Sequence, residues 1–176
     1  MGDHLDSLEV PHLSLVLAAN AYDKSEELQH AIHALKYLRK QSVVPALGAF
    51  LASATLRLPP LWRDAVLCPV PLHWTRRFSR GFNQAALLSR AVTHHTSIPT
   101  QDLLRRHRMT GRQVGRNRIE RLEAMDGAFT CIAKEVPPTV LLVDDVITTG
   151  ATMDACAAAL KRAGVARVGG LVLALG

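Results

Sequence analysis

The chain has 176 residues, 48% hydrophobic side chains and a formal net charge of +6, a composition typical of one globular domain with a substantial core. It contains no uninterrupted apolar stretch of about 18 residues, and its start lacks the basic and apolar segments of a signal peptide; we therefore expect a cytoplasmic protein without a membrane span. The three cysteines, Cys68, Cys131 and Cys156, form no Cys-x-x-Cys pair, so the sequence gives no argument for a zinc ribbon or a redox dithiol.

The first 60 residues are predicted to be mostly helical. Residues 13–19 fit either a short strand or the start of a helix. Asp23 and Glu26 have the spacing of a capping box at the start of a helix. The apolar face of that helix carries four residues at helical spacing: Leu28, Ile32, Leu35 and Leu38. A second helix is predicted over 43–55, and Pro59-Pro60 ends this part of the chain.

Strands and helices alternate from residue 65 onward. Strands are predicted over 65–70, 103–105, 139–143 and 167–175, and helices over 84–94, 116–125 and 152–162. Gly164 is expected to end the last helix. This alternation indicates right-handed crossovers and an α/β fold with a mostly parallel sheet covered by helices on both faces.

The segment 140–152 carries the most specific functional pattern of the chain. Four apolar residues predict a buried strand, Asp144 and Asp145 are expected to end it, and a turn rich in Thr and Gly leads into a helix. The backbone N–H groups and threonine hydroxyls of such a turn suit a phosphate group. Carboxylates at the carboxyl end of a strand can accept hydrogen bonds from the vicinal hydroxyls of a sugar. The pattern therefore suggests a ribose 5-phosphate.

Other phosphate-binding motifs do not occur in this sequence. A Walker P-loop requires Gly-x-x-x-x-Gly-Lys-Ser/Thr and a dinucleotide-binding turn requires Gly-x-Gly-x-x-Gly, and neither is present. An acidic turn that only caps a helix is an alternative, because Asp and Thr are common N-cap residues. That alternative does not explain two adjacent carboxylates followed by four further matching positions.

The order of apolar strand, Asp-Asp, two apolar residues and Thr-Thr-Gly-x-Thr resembles the 5-phosphoribosyl-1-pyrophosphate (PRPP) motif of type I phosphoribosyltransferases. Other segments resemble the ComF/GntX family within that superfamily, and together they cover most of residues 22–175. These are Leu35-Lys36-Tyr37, 68–73 with Arg77, 80–84, Arg108-x-Thr110-x-x-Gln113, and Gly127-Ala128-Phe129. The resemblance implies the type I phosphoribosyltransferase fold, with a small N-terminal helical hood.

The resemblance further implies a single domain over residues 1–176, with the hood segment in 1–60 and a PRPP-binding core in 61–176. Members of this family commonly carry an N-terminal module with four zinc-binding cysteines, and this chain begins where that module would end. Either this member lacks the module or the sequence starts late. Acceptor specificity resides in the hood, so the sequence does not identify the acceptor.

A second anion site is expected in the turn after the strand 65–70. Arg76, Arg77 and Arg80 follow within one loop, and guanidinium groups bind phosphate oxygens in a bidentate manner. The resemblance implies that this loop holds the pyrophosphate of PRPP, through Leu72, His73, Arg77 and Arg80. A basic surface turn is the alternative interpretation.

Positive charge is concentrated between residues 105 and 121, where seven arginines accompany one acidic residue. Such a run suits a nucleic-acid surface, a loop that closes over a polyphosphate, or a solvated basic face. It contains no aromatic residue on which bases could stack, which argues against single-strand binding. The resemblance implies the flexible loop that covers the active site of phosphoribosyltransferases, with Arg108, Gln113 and Arg116 as its contacts.

These sites predict a phosphoribosyltransferase-like protein that binds PRPP and acts at ribose C1 by transfer or hydrolysis, with release of pyrophosphate. Mg²⁺ would arrive with the substrate, without direct protein ligands. Asp144 and Asp145 are the candidate catalytic residues. The 5-phosphate would be bound by Thr148, Thr149, Gly150, Ala151 and Thr152. As exposed carboxylates at a strand end, the two aspartates are expected to contribute little to stability.

Two other functional classes stay open. The first is a non-catalytic, PRPP- or nucleotide-binding accessory factor in competence-type DNA uptake, which contacts single-stranded DNA or a helicase partner through residues 105–121. The second is a regulator controlled by PRPP, which no helix-turn-helix pattern supports. Type I relatives also imply a homodimer.

Overall fold

The computed structural model describes residues 10–21, 25–72, 81–107 and 127–176. Within these ranges, four strands form a parallel sheet in the order β1-β6-β5-β2, which confirms the predicted mostly parallel sheet. They are β1 (Leu15–Ala21), β2 (Val66–Pro69), β5 (Thr139–Ile147) and β6 (Arg167–Leu175). A separate antiparallel pair is formed by β3 (Leu104–Arg106) and β4 (Phe129–Cys131).

Helices cover both faces of the parallel sheet, as predicted. They are α1 (Glu26–Tyr37), α2 (Val44–Ala54), α3 (Gln84–Thr96) and α4 (Ala151–Arg162). Leu141 and Val143 lie on the face of the sheet that α1, α2 and α3 cover. Val140 and Leu142 lie on the other face and pack against α4 and the β3–β4 pair. Because successive side chains of a strand point to opposite faces, this continuous apolar run is typical of a strand buried on both sides.

Two adjacent glycines of β6 allow the layers to pack closely against the sheet. A Cβ atom on Gly169 would lie 2.8 Å from Cη2 of Trp62, and one on Gly170 would lie 2.6 Å from Sδ of Met153. Contacts this short would force the neighbouring groups apart. Met153 belongs to the first turn of α4, so the absence of a Cβ atom at Gly170 leaves room for the side chain by which the start of that helix packs on the sheet.

The N-terminal segment agrees with the prediction in one respect and differs in two. Residues 15–19 belong to β1, which confirms the strand alternative for 13–19, and this strand pairs with β6 in the parallel sheet. The N-cap of α1 is Ser25, whose Oγ accepts a hydrogen bond from the Leu28 backbone N–H at 3.2 Å; Asp23 lies outside the described residues. Leu38 is 57% exposed, because the helix ends before its side chain can join the apolar face.

The prediction that Asp144 and Asp145 end their strand is wrong. β5 continues to Ile147, because β6 keeps pairing with it through Asp144–Val172 and Val146–Ala174. The predicted strand 103–105 corresponds to β3, which pairs with β4 and not with the parallel sheet. The predicted helix 116–125 lies outside the described residues. None of the helices in the described ranges has the length and hydropathy required to cross a membrane.

Candidate functional site

A cavity of about 710 Å³ lies at the carboxyl ends of β2, β5 and β6. Its walls include residues 70–72 after β2, the segment 144–153, and Gly176 after β6. Other described residues of the wall come from the end of α1, the end of β3 and the start of α3. Ligands of open α/β sheets bind at this end of the strands, so the cavity is the candidate site.

The turn after β5 presents backbone N–H groups to this cavity. Gly150 is the N-cap of α4 and has φ +77°, a backbone conformation that is unfavourable for residues with a Cβ atom. In the part of the chain that the structure describes, no side chain caps this helix; the Ala151 backbone N–H has only a long contact of 3.5 Å with Thr149 Oγ1. An uncapped helix N-terminus at a cavity suits an anion.

All of the residues predicted to hold the 5-phosphate line this cavity: Thr148, Thr149, Gly150, Ala151 and Thr152. Their binding role stays a prediction.

Asp144 and Asp145 line the same cavity but lie on opposite faces of β5. Asp144 follows Val140 and Leu142 on the face of α4, and its Oδ1 accepts a hydrogen bond from the Asp145 backbone N–H at 2.8 Å. Asp145 follows Leu141 and Val143 on the face of α1. The adjacent carboxylates therefore reach the cavity from two different layers of the fold.

Asp145 is buried, so the prediction of two exposed carboxylates is wrong for this residue. Its side chain is 5% exposed, and Oδ1 lies 2.8 Å from Nζ of Lys36 on α1. No hydrogen-bond partner of Oδ2 occurs among the described residues. A buried carboxylate requires a counter-charge, and the packing of α1 over this face of the sheet supplies one.

The start of α3 is tied to the end of β2 by Asn83. Its Nδ2 donates a hydrogen bond to the Val70 carbonyl oxygen at 3.0 Å, and its Oδ1 accepts one from the Ala85 N–H at 3.0 Å. This arrangement places Gln84 on the cavity wall with 4% exposure and with an Oε1 that has no partner in the described ranges. Within segment 80–84, which resembles the ComF/GntX family, Asn83 therefore has a structural role.

Of the residues predicted to bind pyrophosphate, Leu72 lines the cavity. His73, Arg77 and Arg80 lie outside the described residues, as do the loop residues Arg108, Gln113 and Arg116, so their roles stay predictions. Arg106 at the end of β3 lines the cavity, and its Cζ lies 5.0 Å from the centre of the Phe129 ring. The described part of the basic segment 105–121 thus contributes one arginine to the cavity wall.

Sequence reasoning assigned no site role to several polar or aromatic cavity residues, among them Lys36, Tyr37, Asn83 and Gln84. The available signal was the resemblance of Leu35-Lys36-Tyr37 and of segment 80–84, which identified these positions without a chemical reason. Arg106 was considered only as part of the basic segment 105–121. Tyr37 is 65% exposed, and its ring centre lies 4.8 Å from that of His33. It gives the cavity an aromatic side chain at its edge.

Cys68 and Cys156 are not suited to nucleophilic chemistry. Burial raises the pKa of the Cys68 thiol to about 12. Burial also raises the pKa of Cys156 well above its usual value, with nearby Asp144 acting in the same direction and Arg106 in the opposite one. Both thiols are therefore neutral near pH 7 and act as small apolar groups of the core. Within the described ranges, no cluster of three His, Cys, Asp or Glu side chains could hold a metal ion.

The parallel sheet, the acidic strand and the Thr-rich turn at the start of a helix define a phosphoribosyltransferase-type domain. The phosphoribosyl transferase domain family matches residues 137–176, which contain β5, the turn, α4 and β6. The chain belongs to the ComF family within this superfamily.

Three relatives illustrate this membership. Competence protein F of Haemophilus influenzae is 36% identical over 117 residues, which are 64% of this chain and 49% of that protein. DNA utilization protein YhgH of Salmonella typhimurium is 30% identical over 83% of this chain and 66% of its own length. Competence protein ComFC of Bacillus subtilis is 28% identical over 87% of this chain and 62% of its own length. The chain thus spans from about half to about two thirds of these relatives.

Among solved structures, an allosteric regulatory enzyme of purine biosynthesis aligns with a TM-score of 0.49 and 21% identity. The alignment covers 76% of this chain and 26% of that chain.

Proposed function

We propose that the protein binds PRPP at the described cavity and acts as a phosphoribosyltransferase-like protein at ribose C1. The observation that supports this most directly is the shared cavity of Asp144, Asp145 and the uncapped N-terminus of α4. Carboxylates for the sugar hydroxyls and backbone donors for the 5-phosphate are both available on its wall. The 710 Å³ volume is within the range of small-molecule sites, about 300–1,000 Å³.

In the proposed reaction, the bond between C1 and the pyrophosphate oxygen breaks, and the pyrophosphate takes both electrons. Positive charge then develops on the ribose, where the carboxylates of Asp144 and Asp145 favour it electrostatically. Arg77 and Arg80 are proposed to hold the departing negative charge, and the loop containing Arg108, Gln113 and Arg116 to exclude water. A nitrogen nucleophile or water then forms the new bond at C1 and releases its proton to the pyrophosphate or to solvent.

Mg²⁺ is proposed to enter with PRPP, where it would supply positive charge beside the leaving pyrophosphate. The site fits this role, because Asp144 and Asp145 put two carboxylates on the cavity wall, and an ion bound to the pyrophosphate would reduce the negative charge of the ligand beside them. The Asp145 Oδ2 atom has no partner among the described side chains and backbone groups. It would face the ribose hydroxyls, and the ion would be held by the pyrophosphate.

Calorimetric titration with PRPP and Mg²⁺ tests the proposal. We expect saturable binding by the wild-type protein, and a loss of at least ~10-fold in affinity for the Asp144→Asn/Asp145→Asn variant, since two hydroxyl acceptors lose their charge. Asp64→Asn is a matched control, because Asp64 is exposed and does not line the cavity. Absence of PRPP binding by folded wild-type protein would refute the proposal. Release of pyrophosphate, screened with nitrogenous acceptors, then separates catalysis from binding alone.

The names of the relatives favour a second candidate function, in competence-type DNA uptake. Proteins named for competence and for DNA utilization are 36% and 30% identical to this chain. The arginine-rich segment 105–121 is the proposed contact with single-stranded DNA or with a helicase partner. If arginines of this segment contact DNA phosphates, the logarithm of the affinity should fall by ~0.7 per contact for each tenfold increase in salt. PRPP binding in a preformed cavity should depend less on salt, and binding of DNA that does not change with salt would contradict this candidate.

The resemblance also leads us to propose a homodimer. Type I relatives are often dimers, and a dimer would double the number of sites per particle without changing the chemistry of each. Light scattering during size-exclusion chromatography tests this directly. A mass close to 19.2 kDa at micromolar concentration would contradict the proposal.

A further inference from the structure

Lys36 is held in place by the packing of α1 on the sheet. Its neighbour Leu35 is fully buried, and Leu28 and Ile32 anchor the same helix face in the core. Lys36 itself is 21% exposed, and its Nζ lies 2.8 Å from Oδ1 of Asp145. Because the helix cannot move without exposing its apolar face, this ion pair is part of the built cavity wall and not an arrangement of mobile surface side chains.

The two carboxylate oxygens of Asp145 have different surroundings. Oδ1 is occupied by the Lys36 ammonium group. Oδ2 is buried and has no hydrogen-bond donor in the described structure, although the residue lines the cavity. A buried acceptor without a donor is unfavourable, and a ligand that brings a hydroxyl group to Oδ2 would remove this cost.

We propose that Lys36 is a positioning residue of this site: it engages Oδ1 of Asp145, so that Oδ2 accepts a hydroxyl hydrogen of the ribose. This inference rests on the proposed binding of PRPP. It assigns to Lys36 an effect on ligands that carry ribose hydroxyls. A lysine that contacted the phosphate directly would instead affect every phosphorylated ligand equally.

The test compares Lys36→Met with Lys36→Arg and with a control, Lys40→Met. Lys40 is exposed, lies just beyond the same helix and does not line the cavity, so its loss removes the same charge without touching Asp145. Each protein is titrated with PRPP and Mg²⁺, ribose 5-phosphate, 2-deoxyribose 5-phosphate and inorganic phosphate. Circular dichroism and thermal melting establish that each variant is folded.

We expect Lys36→Met to weaken binding of PRPP and of ribose 5-phosphate by at least ~10-fold, because the buried carboxylate loses its partner. Inorganic phosphate should bind Lys36→Met and wild type with affinities that agree within about twofold, since its site is the turn after β5. The wild-type preference for ribose over 2-deoxyribose 5-phosphate should shrink in Lys36→Met. Lys36→Arg should recover part of the affinity, and Lys40→Met should bind like the wild type.

Several results would overturn the inference. If Lys36→Met weakens all phosphorylated ligands equally, Lys36 contacts phosphate and does not position Asp145. If wild type binds PRPP and Lys36→Met binds it equally well, the inference fails while the proposed function stands. If the wild type does not bind PRPP, the proposed function fails and the inference with it. Should Lys36→Met fail to fold, the four ligands are compared in Lys36→Arg instead. A second comparison is then made between Asp145→Asn and the double variant Lys36→Met/Asp145→Asn. If these two proteins bind each ligand with equal affinity, Lys36 acts through Asp145, as proposed.

Discussion

Asp144 and Asp145 are adjacent in the chain, yet their side chains leave β5 on opposite faces of the sheet. Asp145 meets Lys36 from α1 at 2.8 Å, whereas Asp144 lies on the face covered by α4 and the β3–β4 pair. This separation follows from the continuation of β5 to Ile147, which keeps the alternation of a strand through both residues. The two carboxylates therefore differ in burial, partners and expected contribution to stability.

The first prediction concerns this difference. Asp145→Asn should lower the free energy of unfolding by about 1–3 kcal/mol, because it leaves the partly buried Lys36 ammonium without a counter-charge. Asp144→Asn removes the same charge from a less buried side chain and should cost less than about 1 kcal/mol. Urea unfolding of both variants measures the two values. A loss in Asp145→Asn that is no larger than the loss in Asp144→Asn would contradict this prediction.

The second prediction concerns Asn83, which caps α3 and also bonds to Val70. Asn83→Ala should destabilise the protein by about 1–2 kcal/mol and weaken PRPP binding, since the start of α3 is no longer tied to the loop after β2. Asn83→Asp keeps the acceptor for the Ala85 N–H and loses only the donor to Val70, so its cost should be smaller. Ser25→Ala is the control, because Ser25 caps α1 away from the cavity; it should cost stability without changing the affinity for PRPP.

The third prediction separates backbone conformation from ligand binding. Gly150 and Gly164 both have positive φ, +77° and +100°, but only Gly150 lines the cavity. Replacing either by Ala should cost about 1 kcal/mol or more, because a Cβ atom disfavours this region. Only Gly150→Ala should weaken the binding of inorganic phosphate in a calorimetric titration. Equal phosphate affinity in the two variants would contradict a phosphate site in this turn.

The fourth prediction follows from the buried cysteines. The pKa of Cys68 is raised from 9.0 to about 12 by burial, so the folded protein holds this proton more tightly than the unfolded chain does. The contribution is fully present below pH 9.0 and is lost as the pH rises from there toward about 12. The free energy of unfolding should therefore fall between about pH 8 and about pH 10.5 by less in Cys68→Ala than in the wild type. The difference between the two losses should be about 1–2 kcal/mol. Parallel losses in the two proteins, measured by urea unfolding, would rule out Cys68 as a source of alkaline sensitivity.

Regular elements were predictable where local patterns are strong. The strand 167–175 agrees with β6 residue for residue, and the helix predicted over 152–162 begins one residue earlier, at Ala151. The prediction for β5 was wrong because a distant partner extends this strand. β5 passes through Asp144 and Asp145 because β6 pairs beyond them. Local propensity contains no information about that partner.

The amino-acid sequence by itself determined the α/β class, the strands β2, β5 and β6 with the helices between them, and the acidic strand with its Thr-rich turn. These features depend on periodicity and on residue types that are close in the chain, so they are readable without a fold. Only the tertiary structure decided that Lys36 pairs with Asp145 and that Asn83 holds the end of β2. The partners in these contacts are 109 and 13 residues apart, and the packing of α1 and α3 on the sheet brings them together.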